Sequence, residues 1–264
     1  MTPTTNGPEP RRIEGLYHRY GAAGGQQRQL DLPVTAADIG EAFESTVTAV
    51  SDTRGNGSFF PPGTRKGLFD LCKERPLPLD ALCDTQHLQA LLWSPPRWPV
   101  EGRPELEFMF VDREITPASA VVDRKREWIY GEDWRVSADL LLMNTRDRTP
   151  IVAEFKRGGD ENADYALVQA LAAAAQLTPS RQRARLRKEY SDHFGEHVPN
   201  LLDVYVILAD PARHGTGPKL LERALAHAEV LRTSRRLDRW IRRVVFLEVK
   251  SAGGELTFHV LEGA

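Results

Sequence analysis

Asp139, Glu154 and Lys156 are the residues of this chain best suited to chemistry. Asp139 is the single acid of the apolar run 136–143, and Glu154 and Lys156 stand one residue apart in the apolar run 151–156. Burying an unpaired carboxylate is costly, so an acid inside an apolar strand has either a partner or a task. Two adjacent carboxylates repel each other unless a cation lies between them. Hard oxygen ligands with room for water suit Mg²⁺ or Mn²⁺. A lysine pointing into such a site orients an attacking water or offsets charge building on a phosphate. The set is what metal-dependent phosphodiester hydrolysis requires. The competing reading is a surface hairpin with Glu154 and Lys156 solvated, but ADLLLM and IVAEF are too apolar for a solvated face.

Side chains alternate along a strand. Ser137, Asp139, Leu141 and Met143 therefore share one face of the first run, and Val152, Glu154 and Lys156 share one face of the second. The six residues 144–149 between the runs predict an antiparallel hairpin, which sets Asp139 beside Glu154. An alanine-rich helix is predicted next, over 163–178, with Gln169 within it.

An aspartate, then Glu154-Phe155-Lys156, then a helix bearing Gln169 resembles the PD-(D/E)XK nuclease superfamily, whose fold is restriction-endonuclease-like. The element order matches too: a helix near 36–50, strands near 127–131, 134–143 and 150–156, the 163–178 helix, and a strand at 201–208. The resemblance implies an α/β (α+β) fold with an αβββαβ core, a mixed central sheet flanked by helices. It implies a Mg²⁺-dependent (or Mn²⁺-dependent) nuclease, with DNA the expected substrate ahead of RNA, whose products carry a 5′-phosphate and a 3′-hydroxyl. Asp139, Glu154 and the backbone carbonyl of Phe155 would ligate the metal, Lys156 would position the water, and Gln169 would hold Lys156 or the water. Many members carry a further metal-site glutamate on the first helix, where Glu44 matches best and Glu41 second. Ala138 stands where the family places a proline. The rival expectation is a silent relative that binds nucleic acid or a protein partner without cutting; the loss of an acid or the lysine would mark it, and neither is lost.

The 264 residues, 41% apolar and 27% charged, allow one large domain. Residues 1–30, polar and containing GAAGGQQ, read as an N-terminal arm. Residues 31–264 read as a single domain with an elaboration at about 51–125. Thr35 to Asp38 predicts a capping box that starts the first helix. The net charge of −2 excludes a wholly basic nucleic-acid binder but not a basic face. From Ser180 to Arg243 there are 14 Lys or Arg against 8 Asp or Glu. Arg181, Arg185 and Lys188 fall at helical spacing on one face, and with Arg157 they are candidate phosphate contacts. A short helix is expected to carry Arg235 through Arg243. No apolar run spans a membrane and no signal core opens the chain. Two cysteines fit a reducing compartment, so cytoplasm is the expectation. Cys72, Cys83 and His87 have no usual zinc spacing. Double-strand cutting would favour a homodimer.

Overall fold

The computed structural model describes residues 35–51, 97–115, 117, 138–156, 163–196, 198–209, 218–252 and 255–261. The 1–30 arm, most of the 51–125 stretch, the strand expected near 127–131 and Arg157 lie outside them. The described residues are mixed α/β, with a seven-stranded sheet in sequence order. Helix α1 (Ala36–Ser51) precedes β1 (Arg97–Trp98), β2 (Phe108–Ile115), β3 (Ala138–Asn144) and β4 (Pro150–Lys156). Helices α2 (Ala163–Leu177), α3 (Ser180–Glu189) and α4 (Ser191–Phe194) lead to β5 (Leu202–Ala209). Helix α5 (Pro218–Thr233) leads to β6 (Ile241–Ala252) and β7 (Glu255–Val260).

The capping box forms as the sequence implies: Asp38 N–H donates to Thr35 Oγ1 at 3.2 Å, and Thr35 N–H donates back to Asp38 Oδ2 at 3.0 Å. The hairpin between β3 and β4 also forms, in antiparallel register from Leu140 opposite Ala153 to Met143 opposite Pro150. Its turn is built by side chains, since Asn144 Oδ1 accepts from Arg146 N–H and Asp147 Oδ1 from Thr149 N–H. β4, β5 and β6 are parallel neighbours, which require crossovers, and α2–α4 and α5 supply them.

The sheet curls almost into a barrel. Val100 bridges to Phe258, Glu101 N–H donates to the Phe258 carbonyl at 2.9 Å, and the Trp98 and Phe258 rings meet edge to face. One face therefore encloses a core of its own, with Phe108, Leu140, Phe155, Tyr205 and Phe258 inside it. The other face carries Leu141, Val152, Val204 and Phe246 and packs under the helices. Seven alanines of α2 are wholly or almost wholly buried, and these small side chains let the helix lie close on β4 and β5.

Two expectations need correction. Residues 235–240 form turns, and β6 begins at Ile241, so Arg242 and Arg243 are strand residues. The arginine spacing there suggested a helix because charge spacing carries no information on burial, whereas the apolar run that follows extends the strand backwards. Phe108–Ile115 pairs with β3 on the edge away from β4, so this part of the 51–125 stretch belongs to the sheet itself.

Candidate functional site

The paired register of β3 and β4 ends at Leu140 and Ala153, although both strands run on past it. In this fork the side chain of Asp139 replaces a main-chain acceptor: its Oδ2 accepts the Phe155 N–H at 2.9 Å. Glu154 lies beside it, on the helix-facing side with Val152. It is 1% exposed, and Lys156 Nζ donates to its Oε1 at 2.9 Å. Its Oε2 is buried and has no hydrogen-bond partner among the described residues. A buried acceptor without a donor costs about 1–3 kcal/mol, so this oxygen marks a place where something positive is wanted.

The electrostatics agree with the geometry. Burial, and then the neighbouring charge of Asp139, push the Glu154 carboxyl up to about 8, against the pull of Lys156; Glu114 adds to the rise. Lys156 is 17% exposed at its side chain, and Asp139 is half-buried. The site is thus wet at its rim and dry at Glu154. Tyr165, in the first turns of α2, presents its ring 6.0 Å from Lys156 Nζ.

The other expected residues are placed as follows. Gln169 is half-buried one turn beyond Tyr165 on α2, and its Oε1 is buried with no hydrogen-bond partner among the described residues. Glu44 is held elsewhere: Arg239 Nη2 donates to its Oε1 at 2.7 Å and Arg236 Nη1 stands 3.6 Å from its Oε2. Glu41 also faces Arg236, at 3.5 Å. On α3, Arg181 and Lys188 are exposed. Arg185 is half-buried and donates to the Pro117 carbonyl at 3.0 Å and to Gln182, so it ties the helix to its surroundings. Lys188 and Arg187 line an open groove of about 650 Å³ with Ser191, Gly195 and Glu196.

Motif and spacing do not single out Glu114, Tyr165 or a buried cluster around Asp164. A signal for Glu114 is nonetheless present, since FVDREI is an apolar run carrying acids. Asp164 is fully buried in the first turn of α2 and accepts from Arg223 Nε at 2.9 Å, with His227 Nδ1 at 2.8 Å. Both partners come from α5, so this cluster pins the two crossover helices together.

The donor set fits a hard divalent cation of the Mg²⁺ type. Mg²⁺ keeps several waters and needs only one or two protein carboxylates, and Asp139 with the unpartnered oxygen of Glu154 supplies two. Among the described residues no group of three or more His, Cys, Asp or Glu side chains is gathered for a metal. No described helix is long and apolar enough to cross a membrane. Comparison with known protein families, with curated proteins and with solved structures gives no match.

Proposed function

We propose that the chain is a Mg²⁺-dependent nuclease of the PD-(D/E)XK type, acting on DNA in preference to RNA. One observation carries the reading: a buried carboxylate with an unpartnered oxygen, beside a second carboxylate and a lysine, in an open fork of the sheet. Asp139 and Glu154 would hold the cation, with the Phe155 carbonyl as a further oxygen donor. Bound there, Mg²⁺ supplies a more acidic water and compensates charge on the phosphate. Lys156 orients the attacking water and meets negative charge as it develops. The water gives up a proton to solvent as its oxygen bonds to phosphorus, the bond to the 3′ oxygen breaks, and that oxygen takes a proton from solvent. The products carry a 5′-phosphate and a 3′-hydroxyl. Tyr165 limits where the Lys156 ammonium can swing, and Gln169 offers an acceptor on the same helix face. Exposed Arg181, and Arg187 and Lys188 at the groove, offer positive charge suited to a phosphate backbone.

Incubation with plasmid, linear duplex, single-stranded DNA and RNA, each with Mg²⁺, Mn²⁺ or EDTA, tests the reading. Cleavage of DNA that needs the cation and disappears in Asp139→Asn is the expected result. Duplex binding without cleavage under any cation would favour a silent binding module instead.

A further inference from the structure

Arg113 on β2 stands opposite Leu140, and Ile115 opposite Ala138, so Glu114 comes opposite Asp139. On β4, Glu154 follows Ala153, the last residue in paired register with β3, and the charge of Asp139 acts on it across the fork. Three acids, Glu114, Asp139 and Glu154, therefore form one row across three adjacent strands at one end of the sheet. Glu114 is half-buried, and its charge is felt at Glu154. Its backbone has φ of 48°, a conformation that a non-glycine residue adopts only under constraint. Within this group the buried Oε2 of Glu154 has no hydrogen-bond partner among the described residues. Glu44, the acid expected to complete the site from α1, has both carboxylate oxygens facing Arg239 and Arg236 instead.

We propose that Glu114, from strand β2, is the third carboxylate of the site in place of Glu44, and that it holds the divalent cation through an intervening water. The water is taken from the habit of the ion: Mg²⁺ keeps several waters and binds directly to only one or two carboxylates. Acting through a bound water, Glu114 is a positioning residue whose loss loosens the cation. This inference rests on the cation reading of Asp139 and Glu154.

Binding of Mn²⁺ to the full chain without nucleic acid, read from the electron-paramagnetic signal of the free ion, tests it. Glu114→Gln is expected to weaken Mn²⁺ binding by roughly tenfold, the lower end of the usual loss for an outer-sphere partner. Glu44→Gln is expected to bind as wild type does, and Asp139→Asn to lose binding. Thermal melting without metal checks that each variant is folded. Should Glu114→Gln be unfolded, Glu114→Asp replaces it, since it keeps the charge and shortens the reach; it should weaken binding severalfold. A wild type that binds, with Asp139→Asn losing binding and the folded Glu114 variant unchanged, overturns the role of Glu114 alone. A wild type that binds no Mn²⁺ overturns the cation reading and this inference together.

Discussion

Glu154 and Asp203 lie on adjacent parallel strands and are both buried, yet the fold treats them in opposite ways. Ile151 is the register partner of Asp203, so the two acids stand near opposite ends of the same strand pair. Arg242 reaches Asp203 with two hydrogen bonds, Nε at 2.9 Å to Oδ1 and Nη2 at 2.6 Å to Oδ2, and its third nitrogen goes to Asp147. Burial pushes the Asp203 carboxyl above its ordinary value and the bidentate arginine opposes this, while the Arg242 guanidinium is held more firmly protonated than usual. Every oxygen of the Asp203 carboxylate has a donor. Glu154 has one donor from a flexible lysine, an acid beside it, and an oxygen with no donor among the described residues. The first arrangement is complete as it stands and fastens the β3–β4 turn to β5 and β6. The second is complete only with something added, which is the pattern expected of a site as opposed to a strut.

The difference is tested most severely by removing each acid in turn. Asp203→Ala is expected to destabilise the fold by about 3 kcal/mol, because Arg242 is left half-buried without its main partner. Urea unfolding measures this, and cleavage by the folded fraction should be retained. Glu154→Gln is expected to lose turnover by about a hundredfold or more, with stability at pH 8 equal to or above that of wild type without metal. If Glu154→Gln destabilised the protein as much as Asp203→Ala does, Glu154 would be a strut as well.

The pH dependence sharpens the contrast. The Glu154 carboxyl is raised in the folded state to about 8, so folding favours its protonated form. The resulting stabilisation is fully present below the ordinary glutamate value near 4.5 and is lost as pH rises to about 8. Metal-free wild type should therefore lose stability across that window, and Glu154→Gln should show a flatter profile. With Glu154 as a ligand, as proposed, Mn²⁺ would compete with its proton, so binding should tighten from about pH 6 to about pH 9. A flat metal-binding profile would separate Glu154 from the cation.

Lys156→Ala is expected to reduce turnover much more than substrate binding, since its charge counts most in the transition state. Lys156→Arg should rescue poorly, because a planar fork replaces a compact ammonium. Single-turnover rates and duplex affinity separate the two effects, and equal losses in both would make Lys156 a binding residue.

The smallest effect belongs to the basic face. Removing one cation that neutralises a phosphate, by Arg181→Ala or Lys188→Ala, should flatten the logarithmic salt dependence of duplex binding by about one unit. Arg185→Ala should instead lower stability, since its guanidinium already serves Pro117 and Gln182. The reverse assignment in melting and salt titration would show that the exposed cations are not the ones that touch the substrate.

Local pattern alone determined a good deal. The apolar alternation around Asp139 and Glu154, the turn residues between them, the capping box at Thr35 and the small-residue stripe of α2 are properties of neighbouring residues, and the elements they specify are present. The pairing of Asp139 with the Glu154 strand was legible because a short hairpin leaves few registers. Long-range decisions were not legible. The pairing of β2 with β3, which sets Glu114 opposite Asp139, joins segments far apart in the chain, and no local signal fixes which strand takes an open sheet edge. The curl that brings β1 to β7 comes from accumulated twist and a shared aromatic core. The fate of each charge was decided at the same level. From sequence, Glu44 read as a metal-site glutamate, Arg185 as a phosphate contact and Arg242 as part of an arginine-rich helix. Tertiary packing gave each of them a partner and left the buried oxygen of Glu154 without one among the described residues, because hydrogen bonding depends on which groups meet in space.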